Sequence, residues 1–402
     1  MRAIIIFILL TACSDVCASK ESVCFLEKYF ENTEPYKSSL LDDKEKKLEL
    51  DRKELSLLPD IYVGAGQYSS NDRSFKSIKE SSLNVGFSQS IYEGGSFNKN
   101  RNKINLDLEY NDLMVNDKRN NYLINLYRDI IEYKYKLDLR ELYNSQLKNQ
   151  RVQLEAAKAN LMSGNIAEIE FDAASLRSDE LINKINQINN EIQQSVLDIY
   201  TNYNVPSHDL ENINNDIVLS CKKESAEYIL KKSRELLYRR ERVNHELEMT
   251  AIQPHANLSV YISPPETGAW KDLTLKKSDF GASVNVTIPI SGFFSINSIE
   301  RSYAIAVSRI NNTYDEKNNF YLREKEKTKI KLNQLKEDLN LSKKIVELRG
   351  REMEYIFSRF KDKKENIISY YRQVDEYELA KINMKREERE IEFNEVYLHI
   401  LD

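Results

Sequence analysis

Leu83–Gly95 reads LNVGFSQSIYEGG. Leu83, Val85, Phe87 and Ile91 are apolar, and Asn84, Gly86, Ser88 and Ser90 between them are small or polar. An alternation of period two is a β-strand with two unlike faces. From Ser96 to about Met162 the chain then runs with helical spacing, many charges and no Gly or Pro. At ~1.5 Å per residue that run predicts a helix on the order of 100 Å long. The fold must therefore explain a two-faced strand set directly before a very long helix.

Working outward, Ser38–Leu57 predicts a polar helix, and Pro59 opens a partner strand in LLPDIYVGAGQYSS. There Ile61, Val63 and Ala65 alternate with Tyr62, Gly64, Gly66 and Tyr68, so the two strands form a hairpin. Within the long helix, Leu123, Leu126, Ile130, Tyr133 and Leu137 recur at the three–four spacing of a coiled coil. The stretch LMSGNIAE interrupts it, with Gly164 suited to a helix C-cap or tight turn. A second helix is expected from Ile166 to about Tyr203, its stripe formed by Ile182, Ile185, Ile192, Val196, Ile199 and Tyr203 with Asn189 in one slot.

The same order then recurs. A helix-like run, Glu224–Thr250, precedes Pro254. HANLSVYIS sets Leu258, Val260 and Ile262 against Asn257 and Ser259, and FGASVNVTIPISG sets Val284, Val286 and Ile288 against Ser283, Asn285 and Thr287. A long helix follows, with Leu332, Leu335, Leu339, Val346, Met353, Ile356 and Phe360 on one stripe, and after FKDKKEN the last helix runs from Ile367 to about Ile400. Ile91 and Ile290 are 199 residues apart, as are Leu161 and Phe360. This is an internal duplication. It divides the chain into residues 58–221, with a β-hairpin at 59–92 and a helical hairpin at 96–203, and residues 222–402, with a β-hairpin at 255–291 and a helical hairpin at 293–400. Residues 13–57 are an N-terminal extension and first helix.

Apolar residues on one strand face and small polar ones on the other fit a transmembrane barrel, which alternates apolar outside and polar inside. Leu83, Val85, Phe87, Ile91, Leu258, Val260, Ile262, Val284, Val286 and Ile288 are the expected lipid-facing set. Asn84, Gly86, Ser88, Ser90, Asn257, Ser259, Ser283, Asn285 and Thr287 are the expected lumen-facing set. Four strands cannot close a barrel, whose smallest transmembrane form has eight, and open edges are not tolerated in lipid. The chain is thus expected to share its barrel with copies of itself, a cyclic trimer giving twelve strands.

The start, MRAIIIFILLTACSDVCAS, has the basic and apolar regions of an export signal. Two cuts fit: before Cys13, which would carry lipid as in a bacterial lipoprotein, leaving 1–12 as signal peptide, or after Ala18. The remaining cysteines are Cys17, Cys24 and Cys221, and Cys17 with Cys24 is a candidate pair in an oxidising compartment. Charges are balanced, with 59 Lys and Arg against 64 Asp and Glu, which argues against nucleic acid as a partner. His208, His245, His255 and His399 are scattered away from metal-ligand spacing, and no phosphate-binding loop occurs. No catalytic residue, metal or cofactor is expected.

The order and double occurrence of these motifs resembles the TolC family of bacterial outer-membrane channel proteins. The carrying stretches are LPDIYVGAGQYS, LNVGFSQSIYEGG and LMSGNIAEIEFDAASL in the first half, and IQPHANLSVYIS, FGASVNVTIPISG and RFKDKKENIISYYRQV in the second. The resemblance spans residues 40 to 400. It implies a mainly α fold with membrane β: long helical hairpins forming an α-barrel tunnel through the periplasm, and four strands per chain in a trimeric twelve-stranded barrel in the outer membrane. It implies a passive export duct, docked on a periplasmic adaptor and an inner-membrane pump for efflux or type I secretion. The alternatives are a periplasmic adaptor lipoprotein and a non-transporting coiled-coil envelope protein.

The sequence departs from the family at the helical turns. Lys363 stands where Gly164 stands in the first half, and Ser369 and Arg372 occupy the places of an acidic ring that closes some members. Acidic residues lie elsewhere near the tips: Glu168, Glu170 and Asp172 in the first half, Asp362 and Glu365 in the second. Three-fold repetition would make of them a cation-binding or tunnel-closing ring, the latter by pairing with Arg359 or Arg372 of a neighbour. As single residues they read as solvated helix-end charges, Glu168 and Glu170 being favourable in a first turn.

Overall fold

A computed structural model describes residues 24–66, 82–263, 279–362, 364–365 and 367–402. Cys13 and Lys363 lie outside the described residues, as do the side chains of Leu83 and Asn84. The elements run α1 (Glu27–Phe30), α2 (Glu34–Leu55), β1 (Asp60–Gly66), β2 (Ser82–Glu93), α3 (Ser96–Met162) and α4 (Glu168–Tyr203). A connector carrying α5 (Asn215–Ser220) leads to α6 (Ala226–Glu248), β3 (His255–Ser263), β4 (Asp279–Thr287), α7 (Ile296–Lys361) and α8 (Ile367–Leu401). The connector is more regular than its sequence suggests, because Asn214 caps α5 by accepting from the Ile217 N–H at 3.0 Å.

The 67-residue α3 is the spine. It packs on α2 and α6 near the sheet, and on α4 and α8 further away. The other 66-residue helix, α7, packs on α6 and α8. Each helical hairpin folds back at a short turn. After α3, Asn165 N–H donates to Asn160 and Gly164 N–H to Leu161, the paired bonds of a Schellman cap, with Gly164 at φ 74°. After α7, Lys364 N–H makes the same six-to-one bond to Arg359.

The larger core lies at mid-length, and a smaller one, Leu106 and Leu113 of α3 with Ile229, Leu236 and Val243 of α6, lies nearer the sheet. Leu123, Leu126, Ile130 and Tyr133 of α3 meet Ile188, Ile192 and Ile199 of α4, Val205, Leu210, Ile213 and Val218 of the connector, and Val396 and Ile400 of α8. The predicted stripe of α3 is thus buried. That of α4 holds at Ile192 and Ile199, which are buried, and at Ile185, Asn189, Val196 and Tyr203, which are half-buried, while at its start Leu181 turns inward and Ile182 is exposed. The reason is that α4 has one partner along much of its length and buries a single narrow seam. The candidate pairing of Cys17 with Cys24 is also corrected. Cys24 bonds to Cys221, at 4.8 Å between Cα atoms, and Cys17 lies outside the described residues.

Candidate functional site

The four strands form one antiparallel sheet in the order β1-β2-β3-β4. The ladder aligns side chains into rows across all four strands. Val63, Val85, Ile262 and Phe280 make one row, and Ile61, Phe87, Val260 and Ala282 the next; Leu258 pairs with Val284, and Ala256 with Val286. On the opposite face Tyr62, Gly86, Tyr261 and Gly281 align, then Asp60, Ser88, Ser259 and Ser283, then Ser90, Asn257 and Asn285, with Thr287 opposite His255. One face is therefore apolar and the other polar, as the alternation predicts. Among the described residues nothing covers the apolar face: Ile61 is 82% exposed and Phe280 84%. Among the described residues β1 pairs only with β2 and β4 only with β3, so both edges of the sheet are open there.

Local departures have local causes. Gln89 stands on the apolar face, its amide donating to the Leu57 carbonyl at 2.8 Å. Ile91 is the extra residue of a bulge between Ser90 and Tyr92, and Ile288 lies one residue past β4; both are exposed. Gly94 and Gly95 adopt φ of 63° and 78°, which turns the strand into α3 at a conformation that side chains with a Cβ disfavour.

Tyr62 and Tyr261 were not singled out as site residues by the strand pattern. Their rings lie over Gly86 and Gly281: a Cβ on Gly86 would come within 2.9 Å of the Tyr62 ring, and one on Gly281 within 2.7 Å of the Tyr261 ring. The signal is a Tyr opposite a Gly on the neighbouring strand, and only the register reveals it.

At the far ends of the hairpins, Glu168, Glu170 and Asp172 are exposed in the first two turns of α4. Asp362 lies 3.8 Å from Lys364, and Glu365 lies 3.6 Å from Arg359 of its own chain. Arg359 also donates to the Tyr355 hydroxyl at 3.2 Å. Phe357 and Phe360 pack on Tyr370 with centroids 5.0 and 6.4 Å away, so the second tip is held by rings where the first relies on Gly164. Ser369 is half-buried on α8.

Above the tips Arg372 is exposed and lines a pocket with Gln150, Arg177 and Asp375. Asn149 of α3 donates to Asp375 of α8 at 3.1 Å, and Asp138 of α3 pairs with Arg389 at 2.5 Å. Burial raises the Asp375 carboxyl, an effect the Asn149 bond and the Arg177 charge oppose.

Two helical flanks are left open. On α7, Leu322, Ile330, Leu341, Ile345, Leu348 and Tyr355 are exposed. Leu41, Leu48 and Leu55 of α2, at heptad spacing, and Ile169, Leu176 and Leu197 of α4 are exposed as well, on two helices that pack on α3 and not on α7. Among the described residues no helix is long and apolar enough to cross a membrane.

No family model and no curated protein sequence matches the chain. Solved structures do. The CmeC outer membrane channel of Campylobacter jejuni superposes at a TM-score of 0.71 with 11% identity, over 94% of this chain and 85% of that one. The chain has the TolC-type channel fold. The MtrE outer membrane channel of Neisseria gonorrhoeae, in its open state, gives 0.67 with 12% identity over 94% and 87%. The outer membrane protein VceC of Vibrio cholerae gives 0.65 with 10% identity over 94% and 96%.

Proposed function

We infer that three copies of this chain form an outer-membrane export channel, with a twelve-stranded barrel in lipid and a helical tunnel in the periplasm. The observation that carries this reading is the four-stranded sheet, apolar and uncovered on one face, polar on the other and open at both edges. In lipid such edges must pair with strands of another copy. The open flank of α7, against the α2 and α4 flank of a neighbour, supplies a second seam along the helices. Val85, Phe87, Leu258, Val260, Ile262, Val284 and Val286 then face lipid, and Gly86, Ser88, Ser90, Asn257, Ser259, Ser283, Asn285 and Thr287 face the lumen. The lumen is small and polar, as suits a passive duct. Energy comes from an inner-membrane pump joined through a periplasmic adaptor at the tips, in drug efflux or type I secretion. The chain is anchored further by lipid where the export signal is cut before Cys13.

Purified from outer membranes, the protein is expected to run unheated in SDS as a band of three chain masses that collapses to one on heating. In a planar bilayer it is expected to give stable single-channel conductance. A monomer or dimer without conductance overturns the reading in favour of an adaptor or a coiled-coil envelope protein.

A further inference from the structure

The channel reading gives no role to residues 24–33, the N-terminal arm that precedes α2 and carries α1. Cys24, at its start, is bonded to Cys221, the C-cap of α5, across 197 residues of sequence. Three more contacts tie the arm to the same connector. The Tyr29 hydroxyl donates to Asp209, Lys223 lies 3.7 Å from Glu27, and Lys28 lies 4.0 Å from Asp209. Leu26 and Phe30 of the arm are fully buried in the mid-length core, and Glu27 pairs with Arg119 of α3. The arm thus forms one wall of the core, and the bond closes a loop of chain that runs from α1 to α5.

We propose that Cys24–Cys221 is an oxidation-dependent clasp, installed by exchange with a protein disulfide of the dithiol-oxidase class that engages Cys24 first, and that it completes the core only after export. In the first exchange the Cys24 thiolate, its proton lost to water, attacks one sulfur of the oxidant's disulfide, and the other leaves as a thiolate. In the second the Cys221 thiolate attacks the Cys24 sulfur of this mixed disulfide, and the oxidant leaves as a dithiol. The chain is oxidised by two electrons and the oxidant is reduced by two. The order follows from placement. Cys24 is half-buried, whereas Cys221 is 2% exposed beside Val218, and a thiol buried in apolar surroundings is inert to outside reagents. Such a bond persists only in an oxidising compartment, which couples the finished core to export.

The test uses the full chain isolated without reductant, labelled with a maleimide in denaturant and mapped by peptide mass. Cys24 and Cys221 are expected to label only after reduction; free thiols at both overturn the clasp. The reduced single variants Cys221→Ser and Cys24→Ser are then given oxidised glutathione under native conditions. Cys24 is expected to take the adduct about tenfold faster than Cys221, following exposure; equal or reversed rates overturn the order. Should a single variant not fold, the double variant is compared with the parent by limited proteolysis. Cuts within residues 24–55 are expected to come about tenfold faster, as local opening predicts, and equal resistance overturns the clasp. None of these readouts depends on conductance, so the clasp and the channel reading fail separately.

Discussion

Gly86 shows how tightly a single residue is held. A Cβ there would sit 2.5 Å from the Val260 carbonyl oxygen as well as against Tyr62. Gly86→Ala is expected to destabilise the sheet by about 1–3 kcal/mol, the range for overpacking. The check is a lower temperature at which the SDS-resistant oligomer collapses, with Ser88→Ala in the same strand as the unaffected control. Asp375 gives a residue-scale pH dependence. Its folded pKa is raised by burial, so its charged form is disfavoured in the fold. Stability is then greatest below the ordinary carboxylate pKa of about 4 and falls as pH rises through the window up to the raised value. Asp375→Asn keeps an oxygen to accept from Asn149 and is expected to flatten that slope and raise the melting temperature at neutral pH. Melting curves at several pH values check the sign.

At the scale of elements, α1 is too short to be stable alone and exists because its side chains complete another core. Arg119, 3% exposed, pairs with Glu27 and lies 5.2 Å from the Phe30 ring. Removing one partner of a buried pair costs about 3–5 kcal/mol, and Glu27 retains Lys223, so Arg119→Met is expected to fall at the low end. Chemical denaturation of the full chain measures it, with proteolytic release of the arm as the accompanying sign. The coiled-coil stripes of α3 and α7 were legible because packing repeats along a helix every three or four residues. Leu332 of α7 is buried and Leu335, Leu339, Val346, Met353, Ile356 and Phe360 are half-buried, on the predicted face. For α4 the predicted stripe is inward at Ile192 and Ile199, and only contact with α3 set Leu181 rather than Ile182 inward at its start.

At the scale of the whole molecule, the outward flank of α7 separates folding from assembly. Leu341 is 58% exposed in the single chain, so a charge there removes little of the chain's own packing. Leu341→Glu is expected to leave helix content and monomer melting within about 0.5 kcal/mol of the parent, as for surface substitutions, while weakening the trimer. Light scattering in detergent with circular dichroism separates the two; a fully retained trimer places the seam elsewhere.

The sequence by itself determined the strands, the long helices and their doubled order, because alternation, helical spacing and glycine at Gly95 and Gly164 are local properties of the chain. It also placed the two strand faces, since a strand's side chains must alternate. Only the tertiary structure decided the register that sets Tyr62 over Gly86, the bulge that displaces Ile91, and the union of Cys24 with Cys221. Each depends on segments far apart in sequence meeting in space, and no periodicity records which distant residue a side chain will meet.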